Sequence, residues 1–107
     1  MSMETKSYKM IKTIERIIFL LKMSEGLDVE YFHDFLAYTL SQLNKPHELD
    51  RISKNILKIY GGMGTFGDVD IFRNGVYLRE EGYEFDKLRE KLYLECKSAI
   101  EEARGAE

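Results

Sequence analysis

The sequence predicts a mainly α-helical domain: about four helices packed as a small bundle, with one short β-hairpin (around 69–78) before the last helix. Three observations predict it. Apolar residues recur at helical spacing in four long stretches. Pro46 is the single proline, and glycines gather between Gly61 and Gly67 instead of marking the regular turns of a sandwich. Asn74-Gly75 stands between two β-favouring runs, the strongest short-range hairpin signal.

The elements follow in order. Met10, Ile11, Ile14, Ile17, Ile18 and Leu21 line one face of a first helix starting near Thr5 or Ser7, with Lys9, Lys12, Glu15, Arg16 and Lys22 mostly opposite. Ser24-Glu25-Gly26 stops it, and Asp28 is placed to cap a second helix. Val29, Phe32, Phe35, Leu36, Leu40 and Leu43 form that helix's buried stripe, with Tyr31 and Tyr38 beside it. Asn44-Lys45-Pro46 ends it and opens the next, proline being tolerated in a first turn. Leu49, Ile52, Ile56, Ile59 and Tyr60 carry a third helix to Gly61. Val69–Phe72 and Val76–Leu78 are the hairpin strands, and the final helix runs from about Phe85 to Ala103 with Phe85, Leu88, Leu92, Cys96 and Ala99 or Ile100 inward. At 107 residues the chain, 1–107, is one domain's worth.

Composition narrows the function classes. A hydrophobic content of 44% beside 33% charged residues excludes a disordered chain, which lacks the apolar residues to offset chain entropy. The net charge is −3, unevenly spread. Ser24–Asp50 holds six acidic side chains against Lys45, and Gly61–Asp86 holds six against Arg73 and Arg79; Arg51, Lys54 and Lys58 form a short basic stretch between them. Direct binding of nucleic acid calls for a basic stripe and is not expected from this balance. Two acidic segments suggest a basic protein partner, the plain alternative being acids that only solvate the surface. Cys96 is the only cysteine, which leaves no internal disulfide or thiolate metal site. The apolar run Ile17–Leu21 is far short of a membrane span, so no membrane contact and a cytoplasmic location are expected.

Gly62-Met63-Gly64-Thr65-Phe66-Gly67 spells the dinucleotide-binding pattern G-x-G-x-x-G. That motif works between a strand and a helix, where helix N–H groups face a pyrophosphate; here it follows a helix and leads into a hairpin. No cofactor is expected. Gly61, Gly62, Gly64 and Gly67 read instead as a structural turn needing positive φ. His33-Asp34 and His47-Glu48 each put an imidazole beside a carboxylate, but helix neighbours point about 100° apart, so neither pair is a ready dyad. Cys96 reads as a core residue. With no nucleophile setting and no ligand spacing, catalytic and metal residues are not expected, and the chain does not read as an enzyme.

The acids after the glycines carry the binding hypothesis. Asp68 and Asp70, two apart, share one side of an extended segment. Glu80, Glu81, Glu84 and Asp86 follow, with Tyr77 and Tyr83 among them. Carboxylates with tyrosines make a face suited to arginine and lysine of a partner. A metal site on the same acids is the sharper alternative, and Asp68 also fits a turn-capping role.

Tyr60-Gly61-Gly62-Met63-Gly64-Thr65-Phe66-Gly67-Asp68, together with Asn74-Gly75 and Leu92-Tyr93, resembles a family of small bacterial proteins. That family's signature is Gly-Gly-Met-Gly-Ser-Phe-Asn-Asp after a helix, then an extended piece with Asn-Gly and a closing helix with Leu-Tyr. The likeness spans residues 57–94, about half the chain, and departs at Thr65, where the family has serine, and at Gly67, where it has asparagine. Thr65 keeps the hydroxyl, and Gly67 suits a left-handed backbone. Members look like immunity proteins of contact-dependent or other polymorphic toxin systems. The resemblance implies a protein that binds and neutralises a cognate toxin domain, a basic nuclease such as an RNase, by occluding its cleft. Two other classes stand beside it: a small metal- or ligand-binding, enzyme-like domain using His33 and His47, and a helical adaptor with no toxin partner.

Overall fold

The computed structural model describes residues 3–61 and 65–105. It is mainly α: α1 (Met3–Met23), α2 (Leu27–Leu43), α3 (Leu49–Leu57), two single 3-10 turns (Lys58–Tyr60 and Phe66–Asp68), a hairpin of β1 (Phe72–Arg73) and β2 (Val76–Tyr77), and α4 (Arg79–Gly105). The 27 residues of α4 extend about 40 Å, which makes it the spine of a body measuring 49 × 26 × 21 Å. α1 and α3 both pack on α4, and α2 packs on α1 while touching α3 only sparingly. Among the described residues, no helix is long and apolar enough to cross a membrane.

The helical periodicities become the core. Met10, Ile14, Ile17 and Leu21 of α1 are buried against Phe32 and Leu36 of α2, Ile52 and Ile56 of α3, and Phe85, Leu92 and Cys96 of α4. Phe66 is fully buried at the meeting point, its ring 5.3 Å from Phe32 and 5.5 Å from both Tyr60 and Phe85, centroid to centroid. Burial of each such side chain contributes about 1.5–3 kcal/mol. Burial also pushes the Cys96 thiol up to about 12, slightly offset by the neighbouring Ser53 hydroxyl, so it is a core residue without thiolate character.

Several boundaries differ from the sequence expectations for local reasons. Gly26, at φ 128°, is the N-cap of α2, and Asp28 lies inside the first turn, where the helix dipole favours its charge. Asn44 closes α2, its side-chain amide donating to the Leu40 carbonyl, and Pro46 sits in the linker ahead of α3 instead of inside it. The strands are two residues long. Asn74 and Gly75 both take positive φ, as the tight turn requires, while Val69 and Ile71 are buried in the core, only the Ile71 carbonyl reaching across to accept from the Leu78 N–H at 2.8 Å. α4 begins at Arg79, six residues early, because the hairpin's last residue starts its hydrogen bonding: the Gly82 N–H donates to the Leu78 carbonyl at 2.7 Å. Gly82 leaves room for the Tyr77 ring, whose hydroxyl an added Cβ would strike.

The glycine turn is corrected as well. Gly61 is extended (φ −103°, ψ 141°) and Gly67 lies in a 3-10 turn, so neither uses positive φ; Gly62 and Gly64 lie outside the described residues. An added Cβ at Gly67 meets only the Thr65 hydroxyl at 3.7 Å, an ordinary contact. Among the described residues the left-handed glycines are Gly26 and Gly75.

Glu95 of α4, near Lys9 and Thr13 of α1, is a poorly satisfied buried carboxyl. Its Oε1 is buried with no donor, and burial pushes the carboxyl above its ordinary range against the partial offset of Lys91 and Lys9. The Thr13 hydroxyl, the nearest candidate donor, gives its proton to the Lys9 carbonyl at 3.1 Å. A carboxyl whose folded value is raised favours folding while protonated, and that advantage fades as pH climbs through the raised value. Glu95→Gln should therefore stabilise the chain by about 1 kcal/mol at pH 7, the low end for a half-exposed unsatisfied group, and by nothing at pH 4. Urea unfolding at the two pH values checks this; an equal gain at both would show that charge is not the cause.

Candidate interaction surface

The hairpin end of the molecule is assembled by the short loop between α1 and α2. The Ser24 hydroxyl donates to the Asp70 carbonyl at 3.1 Å and accepts from the Phe72 N–H at 2.9 Å. The Glu25 N–H donates to the Phe72 carbonyl at 2.9 Å, and the Glu25 carboxylate accepts from the Asn74 N–H at 3.0 Å. Loop and hairpin thus meet through backbone groups that a lone two-stranded ribbon would leave to water. The positive φ of Gly26 then turns the chain into α2.

This clasp brings the two acidic segments together. Glu25 and Asp28 from one, and Asp68 and Asp70 from the other, line a single groove of about 340 Å³, whose apolar walls include Leu27, Val29 and Phe72. Leu27 is 84% exposed, and Phe72, which lines the groove with it, is exposed too, so the groove has an apolar side with acids around it. Among the described residues no three His, Cys, Asp or Glu side chains converge closely enough to hold a metal ion. Among the described residues the groove therefore presents acidic charge without a metal-ligand cluster, the Glu25 carboxylate also accepting the Asn74 N–H.

Of the eight residues expected to share the face, Asp68 and Asp70 are in the groove and the acids of α4 are not. Glu84 takes two hydrogen bonds from the Arg16 guanidinium, at 2.5 and 2.9 Å, and these hold its carboxyl below the ordinary range. Asp86 is paired with Arg89. Both are engaged by cations of their own chain. Glu80 and Glu81 occupy the first turn of α4, where the helix dipole favours them. Tyr77 packs against Phe72, 5.5 Å between ring centroids, and Tyr83 is exposed with the Lys87 ammonium 4.5 Å above its ring.

Sequence reasoning put the binding face on the second acidic segment; the fold makes Glu25 and Asp28 of the first segment part of the same groove as Asp68 and Asp70. It missed Arg89, which holds the acidic segment in place. A signal was present: Arg89 falls at the helical spacing of Phe85, Leu92 and Cys96, a charge on an apolar stripe. The two histidines are apart. His33 Nδ1 lies 3.0 Å from the carboxylate of its neighbour Asp34, closer than helix geometry led one to expect. His47 Nδ1 donates to the Lys45 carbonyl at 2.6 Å, which leaves Nε2 to accept from the Ser7 hydroxyl at 3.0 Å and ties the α2–α3 linker to α1.

A family model described as a domain of unknown function, DUF6966, matches residues 32–79, from α2 through the hairpin to the first residue of α4. No curated protein and no solved structure matches the chain.

Proposed function

We propose that this chain is an inhibitor that binds a cognate bacterial toxin, a nuclease with a basic cleft, and occludes that cleft. The observation that carries the reading is the meeting of Glu25, Asp28, Asp68 and Asp70 around one groove beside exposed Leu27 and Phe72. Carboxylates there stand where substrate phosphates would sit, and the apolar side supplies the desolvated centre that a stable interface needs. The resemblance of the Tyr60–Asp68 segment to immunity proteins supports the same reading. Acidic charge speeds capture of a basic partner, useful where an incoming toxin must be neutralised quickly.

The test is expression of the toxin domain encoded beside this gene, with and without the chain. Survival and co-purification are expected only when both are present. Reversing two groove charges, Glu25→Lys with Asp70→Lys, should slow association by about tenfold or more at low salt, with the difference shrinking as salt screens the charges. Equal killing with and without the chain would end the inhibitor reading. Protection that survives the double reversal would move the interface off the groove.

A further inference from the structure

A second groove runs between α2 and α3, where the two helices barely touch. It comprises two continuous cavities of about 500 and 870 Å³ that share Tyr38, Gln42, Ile52 and Asn55. One wall is an aromatic ladder on α2: Tyr31, Phe35 and Tyr38, at positions i, i+4 and i+7 of one helical face. Tyr31 and Tyr38 are 63% and 64% exposed, large rings left uncovered among the described residues. Tyr31 is nonetheless oriented, edge-on to buried Phe32 with centroids 5.1 Å apart.

The facing wall is cationic. Arg51 and Lys58 of the α3 segment line the groove seven residues apart, with Asn55 between them, and Lys45 joins from the linker. Among the described residues none of these three cations has an ion-pair partner, and Glu48 is the one carboxylate lining either cavity. Between the walls the amides of Gln42 and Asn55 offer both donors and acceptors. Each ladder covers about 10.5 Å of helix, the rise of roughly three stacked nucleotides.

We infer that the α2–α3 groove binds single-stranded nucleic acid, bases stacking on exposed Tyr31 and Tyr38 over half-buried Phe35 while Lys45, Arg51 and Lys58 neutralise the phosphates. Aromatic platforms beside a cationic track are what a sequence-tolerant single-strand site requires, and amides add hydrogen bonds to base edges. An acidic peptide would use the cations but leave the exposed rings and amides without a role. A duplex keeps its base faces stacked inside and offers nothing to the ladder. The net charge hides the site because its basic stretch is only a few residues long. The inference does not rest on the inhibitor reading, which uses the hairpin-end groove.

The experiment is fluorescence anisotropy of labelled oligothymidylate and oligouridylate, roughly 12 nucleotides long, titrated with the full chain. Saturable binding to either supports the site, and the ratio of the two reports whether the sugar matters. Three phosphate contacts predict a slope near −2 in log affinity against log salt. Tyr38→Ala should weaken binding about 5- to 150-fold while Tyr38→Phe keeps it, and Arg51→Glu with Lys58→Glu should abolish it. The inference is overturned by no saturation at about 100 µM, the weak end of non-specific binding. It is equally overturned by unchanged affinity in Tyr38→Ala, or by a polyglutamate peptide or a duplex binding as tightly as the single strands.

Discussion

Phe66→Ala is expected to cost about 3–5 kcal/mol, the range for deleting a fully buried aromatic ring. A domain of this size holds roughly 5–15 kcal/mol in total, so the variant should be marginal or unfolded. The size of the effect follows from position. Phe66 is the contact shared by Phe32 of α2, Tyr60 of the 3-10 turn and Phe85 of α4, three elements far apart in sequence. Removing the ring leaves each of the others facing a void that a chain with long, stiff helices collapses poorly. Phe66→Leu retains most of the volume and should cost under about 1.5 kcal/mol. Urea denaturation of the three proteins checks the ordering, and melting should fall by at least about 12 °C in the alanine variant. Equal stability of the alanine and leucine variants would remove Phe66 from the centre of the core.

Phe66 also marks how far the sequence could be read. Its neighbours were legible because helical periodicity is local: Met10, Ile14, Ile17 and Leu21 announce one buried face, and Phe85, Leu92 and Cys96 another. Asn74-Gly75 announced the hairpin because only a tight turn with two positive φ values makes that pair advantageous. Phe66 itself sits in a glycine-rich stretch that has no period, and nothing local says that its ring is fully buried. Boundaries failed for the same reason. Whether Asp28 or Gly26 caps α2 depends on how the preceding loop clasps the hairpin, through Ser24 and Glu25 to Phe72 and Asn74.

The candidate site was legible in kind and not in composition. Acidic runs are visible in the sequence, but Glu25 and Asp68 are 43 positions apart, and only the loop-to-hairpin contacts make them neighbours. Glu84 and Asp86 look equivalent to Asp68 and Asp70 in the sequence. Arg16, 68 residues before Glu84, and Arg89, one helical turn after Asp86, engage those two, which the sequence does not announce. The aromatic and basic ladders of α2 and α3 were each visible as periodicities, Tyr31 and Tyr38 on one helix and Arg51 and Lys58 on the next segment. Their confrontation across a groove is tertiary information.

Arg89→Met should cost about 3 kcal/mol and loosen the segment that carries Asp68 and Asp70. The Arg89 Nη1 donates to the Phe66 carbonyl at 2.7 Å and the Val69 carbonyl at 2.8 Å, one proton to each, while Nη2 reaches Asp86. The guanidinium lies 4.7 Å from the Phe85 ring centroid, which desolvates it and strengthens those bonds. Methionine fills the space of the stem and leaves both carbonyls without a donor. Arg89→Lys restores charge but not the planar fork, so it should recover only part of the loss, about 1 kcal/mol. Amide exchange separates local loosening from global destabilisation. The Asp68 and Val69 N–H groups, bonded to Thr65 and Phe66 carbonyls, should exchange faster in Arg89→Met than amides of α1 do. A variant with those amides still protected and stability within about 1 kcal/mol of the parent would show that the turn holds itself without Arg89. If they are freed, the inhibitor reading gains a consequence of its own: association with a basic partner should slow in Arg89→Met although no groove carboxylate has been changed, because Asp68 and Asp70 no longer wait in fixed positions.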